Sequence, residues 1–412
     1  MIKTKRPELL SPAGDIERLT AALQYGADAV YLGGKMFNMR AATESFDDTA
    51  LKAAVDMCHK QGVAVHLVAN TLPRNDEVAQ LPSFFEKAKD AGVDAFIIAD
   101  VGVMRMAQKY AEGVDIHMST QTGVVNYETA NTLFDMGAKR IVMAREVSLS
   151  DIAEIRAKTP KELEIECFVH GAMCMSFSGR CMLSNYLTGR DANRGDCAQP
   201  CRWKYHLVEE KRPGQYFEIT DDKDGTYILN SQDMCMIEHI GELVDAGVDS
   251  FKIEGRAKSA YYAAAVTNAY RTAIDAYLEN PTKDFKPEPW IVDEMKKISY
   301  RDYCTGFYFN NPSENAHVYY DGIYIREWDI IANVEGSSDG YINAIQRNRF
   351  FKGDELEVLI PKTKPFTIKV EEMLNEKGEL VDVAPNPMAK IRIKSDIEIP
   401  KGAILRKQKD DN

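Results

Sequence analysis

Residues 25–34 read YGADAVYLGG, and this phrase decides the fold because the chain repeats its layout three more times. In each copy a glycine follows an amphipathic stretch, a short turn comes next, and an apolar run of strand length follows. Glycine adopts the left-handed conformation that ends many helices, and a short bounded apolar run is typical of a buried strand. The phrase therefore predicts a helix end, a tight turn and a strand. The other copies read AGVDAFIIAD at 91–100, MGAKRIVMARE at 136–146 and AGVDSFKIEGR at 246–256.

Eight strands are predicted once the gaps between these copies are filled, and amphipathic helix patterns separate them. Short apolar strands that alternate with helices are typical of a parallel sheet, so eight units predict a closed (β/α)8, TIM-like barrel. A doubly wound open sheet is the alternative. The predicted strands are Glu8–Ser11, Ala29–Gly33, Ala64–Asn70, Ala95–Asp100, Asp115–Gln121, Arg140–Arg145, Ile165–His170 and Ser250–Glu254. The predicted helices include Asp15–Tyr25, Thr49–Gln61, Leu81–Ala91, Val101–Ala111, Tyr127–Met136 and Leu149–Lys158.

The predicted strands end on polar residues, and in such barrels the functional site lies at the carboxyl ends of the strands. His170, Glu254 and Arg256 are the candidate catalytic residues, and Asn70 and Gln121 are candidate substrate contacts. Each has a plainer interpretation, because a rim side chain can satisfy loop backbone groups or form a salt bridge. The full set of strand-end residues is Ser11, Gly33, Asn70, Asp100, Gln121, Arg145, Glu146, His170, Glu254 and Arg256.

A segment rich in cysteine, glycine and arginine follows the seventh predicted strand directly. Residues 166–205 read ECFVHGAMCMSFSGRCMLSNYLTGRDANRGDCAQPCRWKY, and Cys174, Cys181, Cys197 and Cys201 are spaced C-x6-C-x15-C-x3-C. Thiolates are soft ligands, and four of them on one segment can surround a zinc ion or an iron–sulfur cluster. The segment is therefore interpreted as an insertion, residues 172–225, that places a metal centre on the catalytic face.

Other interpretations of these cysteines stay open at this point. They could form two disulfides or be ordinary buried residues, and the spacing does not separate zinc from iron–sulfur because only the C-x3-C pair resembles a zinc knuckle. The chain shows no secretory signal and no transmembrane stretch, which favours a cytoplasmic location without disulfides. Cys235 is a reserve ligand, whereas Cys58 lies in a helix pattern typical of a core residue.

The chain has 412 residues, of which 45% are hydrophobic, so it can hold a barrel of about 250 residues and a smaller module. The predicted domains are the barrel at 1–280, a linker and packing segment at 281–323, and a C-terminal β-barrel module at 324–412. The module shows period-two strand patterns broken by glycines. Its predicted strands include Ile330–Val334, Tyr341–Ile345, Leu356–Ile360, Phe366–Val370 and Lys390–Lys394.

The net charge of −12 argues against a generally basic nucleic-acid-binding surface, although a modification enzyme needs only a local basic patch. The sequence contains no phosphate-binding G-x-x-x-x-G-K-[ST], no H-E-x-x-H and no G-x-G-x-x-G, and its one G-x-S-x-G match, GSSDG at 336–340, falls between two predicted strands of the C-terminal module. Nucleotide hydrolysis and zinc-dependent proteolysis of the H-E-x-x-H type therefore have no motif in this sequence, and the G-x-S-x-G match lacks the strand–turn–helix context that α/β-hydrolase chemistry needs.

The motif E-x-F-x-x-G-A-M-C at 166–174, followed by G-x-C-x-L-S at 179–184, resembles the signature of peptidase family U32. The likeness extends to ELLSPAG near the start, to YGADAVYLGG and to SFKIEGRAKSAYY at 250–262, and it covers essentially the whole chain. Within the family, the sequence is most similar to bacterial proteins of tRNA 5-hydroxyuridine synthesis. The resemblance implies a [4Fe-4S] cluster held by Cys174, Cys181, Cys197 and Cys201.

The resemblance also implies a tRNA substrate, with the wobble uridine U34 of the anticodon loop hydroxylated in a prephenate-dependent reaction. Prephenate is a dicarboxylate, and its candidate partners are Arg180, Arg190, Arg194 and Arg256. Candidate stacking residues for an unpaired base are Tyr186, Trp203 and Tyr205. A sister subunit of the same family is a further implied partner. The alternatives are a collagenase-like U32 peptidase and a zinc-stabilised module that binds RNA or a partner without catalysis.

Overall fold

The computed structural model describes residues 6–39, 45–174, 176–203, 207–208, 216–217, 232–282, 284–309 and 324–409. Tyr205 lies outside these residues, and so does Thr226–Ser231, the segment through which the sequence predicts that the insertion returns to the barrel. Among the described helices, none combines the length and the apolar composition that crossing a bilayer would require.

Eight parallel strands form a closed barrel, as the repeated phrase predicts. Each strand pairs with the next along the chain, and the eighth pairs with both the seventh and the first, which closes the sheet. The closure rules out the doubly wound open sheet. The strands are β1 (Glu8–Pro12), β2 (Ala29–Gly33), β3 (Ala64–Ala69), β4 (Ala95–Ile98), β5 (Asp115–Met118), β6 (Arg140–Val142), β7 (Glu164–Ala172) and β8 (Ser250–Ile253).

Helices connect the strands on the outside of the barrel, and polar side chains mark where most of them begin. Asp15, Asp47, Asn126 and Ser148 each accept a hydrogen bond from a backbone N–H of the first turn, which is the usual role of an N-cap. The capping residue stands outside the helix, so the first helix begins at Ile16, one residue later than predicted. The barrel helices are Ile16–Gln24, Asp48–His59, Asn75–Val78, Leu81–Ala91, Val101–Tyr110, Tyr127–Asp135, Leu149–Ala157, Ile240–Asp245 and Ala260–Glu279.

Several strands end earlier than predicted because their last residues begin the following loop. Asp100 caps the next helix, and Ser119 caps a 3-10 turn at Thr120–Thr122. The seventh strand is longer than predicted. Its final residues pair in antiparallel fashion with a short strand at Asp233–Cys235, which holds the end of β7 extended to Ala172.

The cysteine-rich insertion leaves the barrel after β7 and is built mostly from turns. It contains 3-10 turns at Phe177–Gly179, Ala192–Arg194 and Pro200–Arg202 and one short helix at Leu183–Thr188. The chain returns through Asp233–Cys235, which pairs with the strand Tyr303–Cys304. Nearby, the buried Tyr308 donates a hydrogen bond from its hydroxyl to the Phe168 carbonyl at 2.6 Å, so this part of the predicted linker and packing segment contacts the barrel.

The C-terminal module is confirmed as an all-β domain, and seven antiparallel strands form a half-barrel. Its apolar core is separate from that of the barrel. The two domains are joined by Arg406, which is fully buried, and by Tyr25, whose hydroxyl donates to the carbonyls of Leu359 and Gly402 at 3.1 and 3.0 Å. The strands, in sequence order, are Trp328–Ser338, Tyr341–Gln346, Glu355–Leu359, Phe366–Lys369, Met373–Leu374, Lys390–Lys394 and Ile404–Gln408.

Candidate active site

A cavity of about 160 Å³ opens at the carboxyl ends of the barrel strands, between the barrel and the cysteine-rich insertion. This is the face on which barrels of this type carry their sites. The structure brings eight of the sequence-predicted site residues to its wall, namely Cys174, Cys181, Cys197, Cys201, Asn70, Gln121, Glu254 and Arg256.

All four clustered cysteines line this one cavity, although they are separated by up to 27 positions in the sequence. All eight cysteines of the chain lie in its described part, and each is a free thiol, so the disulfide alternative has no support. Cys174 follows β7 directly, and the other three stand on turns of the insertion.

Backbone N–H groups point at two of the sulfurs. The N–H of Leu183 donates to Cys181 Sγ at 3.3 Å, and the N–H of Gln199 donates to Cys197 Sγ at 3.4 Å. Asn193 holds Cys181 from both sides, because its amide accepts from the Cys181 N–H at 3.3 Å and donates to the Cys181 carbonyl at 3.0 Å. Hydrogen bonds to sulfur stabilise the thiolate form, which is the form that binds metal.

Three basic residues surround the lower part of the cavity. The Arg145 guanidinium stacks over the Phe168 ring at 4.0 Å, and Lys252 Nζ lies 4.7 Å from the centre of the Tyr31 ring. The Arg256 side chain is almost fully buried and lies above the same Tyr31 ring at 5.7 Å. Glu254 is the one carboxylate among the described lining residues, and Lys252 is also paired with the buried Glu166 at 2.7 Å, so Arg145 and Arg256 are the cations that favour an anionic ligand here.

The carboxylate in the cavity is that of Glu254, which follows β8. Its Oε2 lies 3.9 Å from Arg145 Nη2 and 3.5 Å from the Tyr31 hydroxyl. Gly171 is needed beside it, since its φ is +108° and a Cβ at this position would lie 2.5 Å from the Glu254 carbonyl oxygen. The glycine of the 166–174 motif therefore lets the ends of β7 and β8 approach each other.

Two polar groups on the opposite wall complete the site. Gln121 is buried, and its side-chain Oε1 has no hydrogen-bond partner among the described residues. A buried acceptor without a partner is available to a ligand N–H. Next to it Ser178 has a φ of +45° and donates from both its N–H and its hydroxyl to the Glu146 carboxylate at 2.6 Å. This contact fixes the turn between the first two clustered cysteines.

His170 lies outside the cavity lining, although the sequence makes it a catalytic candidate. Its ring is buried behind β7 among Tyr262, Tyr270 and Tyr303, with ring centres 5.4 to 5.9 Å away. Burial, with a smaller contribution from Lys258, lowers the pKa of His170 to about 3. The imidazole is therefore uncharged and has no contact with the cavity.

Four of the predicted substrate contacts also lie outside the lining. Arg190 forms an ion pair with Asp196 at 2.7 Å, and Arg194 pairs with Glu77 at 2.9 Å. Arg180 donates from Nε to the Gln121 carbonyl at 2.6 Å, which ties the insertion to the barrel. Tyr186 projects from the short helix of the insertion and is 84% exposed.

The reserve ligand Cys235 is separated from the cysteine cavity by the end of β7. Burial raises the pKa of its thiol to about 12, and its sulfur lies 4.0 Å from the Tyr270 hydroxyl. Cys58 is fully buried, as predicted for a core residue.

Lys252 is a lining residue that the sequence reasoning missed. The signal was present in the strand pattern, because Ser250, Lys252 and Glu254 occupy alternate positions of β8 and its end while the positions between them are apolar. In a closed barrel alternate residues of a strand face the interior. The same alternation would have drawn attention to a buried lysine at this position.

The family comparisons agree with the two-domain architecture. A model for peptidase family U32 matches residues 14–318, and a model for the C-terminal domain of that family matches residues 326–406.

Among the curated relatives, tRNA hydroxylation protein P1 of Bacillus subtilis is 34% identical over 98% of this chain and 96% of its own length. An uncharacterized protease of Methanocaldococcus jannaschii is 43% identical over 76% of both chains. A 23S rRNA 5-hydroxycytidine synthase of Escherichia coli is 37% identical over 68% of this chain and 41% of its own length. With family models that match nearly the full length and a full-length relative above 30% identity, the chain belongs to peptidase family U32.

Proposed function

We propose that this chain is an RNA-modifying enzyme that hydroxylates the wobble uridine, U34, of tRNA to 5-hydroxyuridine, with prephenate as co-substrate. The observation that carries the proposal is that four thiols and three cations, two of them buried, share one cavity on the catalytic face of the barrel. The relatives named for tRNA hydroxylation and for rRNA 5-hydroxycytidine synthesis support this reaction class over the others.

The cofactor that we assign to the cavity is a [4Fe-4S] cluster on Cys174, Cys181, Cys197 and Cys201. In a tetrahedral zinc site, sulfurs at about 2.3 Å from the ion lie about 3.8 Å apart. Among the described residues, no three of these four sulfurs lie within 4.8 Å of one another, so the spacing favours a larger group over a single zinc ion. When bound, the cluster supplies electron transfer or a Lewis-acidic iron, which side chains cannot provide.

We assign the binding of prephenate to the floor of the cavity, which is the part lined by Arg145, Lys252 and Arg256. Prephenate carries two carboxylates, and Arg145, Lys252 and Arg256 are the cations that line this floor. Charge-assisted hydrogen bonds of this kind hold a carboxylate more tightly than neutral ones do. Arg145 and Lys252 thus replace Arg190 and Arg194, whose charges are already paired at the outer surface of the insertion.

The target base enters from the open side of the cavity. Glu254 is the one carboxylate in the described cavity lining, and it is therefore our candidate for proton transfer at the bound base. The unpartnered Oε1 of Gln121 can accept the uridine N3–H, which would read the Watson–Crick edge of a base turned out of its stack. Tyr186 and Trp203, which are 84% and 45% exposed, offer stacking surfaces for neighbouring loop bases.

The test is a complementation experiment in a strain that lacks this gene and every paralogue. Mass spectrometry of tRNA nucleosides measures 5-hydroxyuridine after expression of the wild type, Cys197→Ser, Arg145→Lys or Arg190→Lys. We expect the wild type and Arg190→Lys to restore the nucleoside and Cys197→Ser to fail. Arg145→Lys keeps the charge but loses the planar fork, so we expect about a tenfold loss of rate at limiting prephenate.

Normal 5-hydroxyuridine in the uncomplemented strain would refute the proposed reaction. Metal analysis of anaerobically purified protein tests the cofactor separately, since a [4Fe-4S] cluster requires about four iron atoms and equal sulfide. Zinc without iron would instead favour a zinc-stabilised binding module. The peptidase alternative has no histidine in the described cavity lining, and cleavage of peptides that Cys174→Ser abolishes in cluster-free protein would favour it.

A further inference from the structure

The inside of the barrel contains a group of charged and imidazole side chains where such barrels usually carry branched aliphatic residues. Alternate strands β1, β3, β5 and β7 contribute Glu8, His66, His117 and Glu166. The last three are at most 3% exposed. Because β3, β5 and β7 are not neighbours in the sheet, their side chains meet only in the barrel interior.

Three of these side chains point their ligand atoms toward one another. His66, His117 and Glu166 each place a ring nitrogen or a carboxylate oxygen within 4.8 Å of the other two. The two imidazoles pack edge to face, with ring centres 4.7 Å apart and an angle of 85° between the rings. The Nδ1 atoms of both histidines are buried and have no hydrogen-bond partner among the described residues.

The local charge balance leaves room for a cation. Arg140 contacts the carboxylates of Glu8, Glu164 and Glu166, and Lys252 donates to Glu166 at 2.7 Å. Three carboxylates against two cations leave one negative charge over, although Glu8 and Glu164 keep 21% and 23% of their side-chain surface exposed and only Glu166 is fully buried. Burial lowers the pKa of His66 and that of His117, so both imidazoles are neutral and each keeps a lone pair for a ligand.

We propose that His66, His117 and Glu166 bind one divalent transition-metal ion inside the barrel. Nitrogen and oxygen ligands at about 2.0–2.2 Å from an ion lie at most about 4.4 Å apart, so a contraction of a few tenths of an ångström closes the site. Two imidazoles and one carboxylate suit iron(II) or zinc and are poor ligands for calcium or magnesium.

The contacts that Glu166 already makes do not block such an ion. Arg140 at 3.0 Å and the Ser250 hydroxyl at 3.5 Å both donate to Oε2, whereas Lys252 occupies one lone pair of Oε1, which leaves the second lone pair of Oε1 for an ion. Lys252 also lines the cavity above, so the interior site lies directly beneath the cavity floor. It shares no ligand with the cysteine site, and its occupancy is therefore independent of the proposed reaction.

The experiment measures metal in the anaerobically purified holoenzyme, in which the thiols carry their own cofactor. Iron, zinc, manganese and sulfide are quantified for the wild type, for His117→Gln and for His59→Gln, an exposed control paired with Asp94. We expect the wild type and His59→Gln to contain about one metal ion per chain in addition to the iron that matches the sulfide content. His117→Gln should lack this additional ion. Added ion should raise the melting temperature by roughly 5 °C at about 100 times its dissociation constant.

If His117→Gln fails to fold, a crystallographic anomalous difference map of the wild type tests whether an ion occupies the proposed site. A peak between the two imidazoles and Glu166 at the absorption edge of the ion would support the site. Density that is only a water molecule would overturn the proposal, and so would excess metal that persists in folded His117→Gln.

Discussion

Burial determines the protonation of individual residues here, and His170 is the clearest case. Its pKa is about 3 in the folded chain, against about 6.5 for an exposed histidine. Below pH 6.5 the unfolded chain therefore binds a proton that the folded chain does not, and stability falls as the pH drops toward 3. Between pH 7 and pH 5 this single residue should remove about 2 kcal/mol from the free energy of unfolding.

His170→Gln should abolish that contribution while leaving the rest of the pH dependence in place. Urea denaturation at pH 7 and pH 5 measures the drop in the free energy of unfolding for each protein. We expect the variant to lose about 2 kcal/mol less than the wild type over this interval. His59→Gln, at an exposed position, is the matched control, and an equal drop in wild type and His170→Gln would contradict the assignment.

The four predicted cysteines and the predicted Arg256 line one cavity, whereas the predicted Arg180, Arg190 and Arg194 lie outside its lining, and this difference has a physical reason. The four thiols lie on one short segment, and the short stretches of chain between them keep them close in space. Their spacing alone therefore indicated a shared centre. An arginine reaches several ångströms in any direction, and its partner is set by tertiary contacts. Arg190 thus forms an ion pair with Asp196, and Arg194 forms one with Glu77. Arg145 instead stacks on the Phe168 ring in the cavity.

The insertion is an element without a core of its own, and glycines fit it against the barrel. Gly195 and Gly189 both have positive φ, +90° and +73°, but their surroundings differ. A Cβ on Gly195 would lie 2.4 Å from the Asn38 carbonyl oxygen, whereas a Cβ on Gly189 would meet nothing within 4 Å. The turn that carries Cys197 therefore rests directly on the loop after β2.

Gly195→Ala should displace this turn and lower the iron content of anaerobically purified protein at least severalfold. Gly189→Ala carries the same left-handed strain, about 1 kcal/mol, without the backbone collision, and should keep its iron. Iron and sulfide analysis of the two folded variants makes the comparison. Equal iron in both would show that contact with the barrel does not position Cys197.

The sequence predicted the helices and strands of the barrel best where a glycine ends a helix and an apolar run follows. Both signals depend only on neighbouring residues. Strand ends were less accurate. Asp100 and Ser119 belong to caps, and the extension of β7 to Ala172 depends on pairing with Asp233–Cys235, which lies far along the chain. Strand pairing between segments that are far apart in the chain cannot be predicted from the residues of either segment alone.

The two domains are joined by a buried ion network that involves both. Arg406 of the C-terminal module donates to Glu294 at 2.7 Å and to Glu357 at 2.8 Å, and Arg406 and Glu294 are fully buried. Removing one partner of a buried pair leaves the other charge without compensation, at a cost of about 3–5 kcal/mol.

Arg406→Met should therefore destabilise the protein by about 3–5 kcal/mol and separate the unfolding of the module from that of the barrel. Calorimetry should then show two transitions where the wild type shows one. Arg392→Met removes an arginine that is 37% exposed and 3.9 Å from Asp339, so it should cost less than about 1 kcal/mol. A single transition of unchanged temperature in Arg406→Met would mean that other contacts couple the domains.

The position of the insertion between β7 and β8 has a consequence for biosynthesis. A ribosome releases all four clustered thiols before it has made the strand that closes the barrel. During that interval the nascent chain displays reactive sulfur together with two open sheet edges, one on β1 and one on β7. Oxidation and aggregation can therefore both affect the chain during the same interval, which ends when translation has passed Ile253 and β8 can pair with β1 and β7.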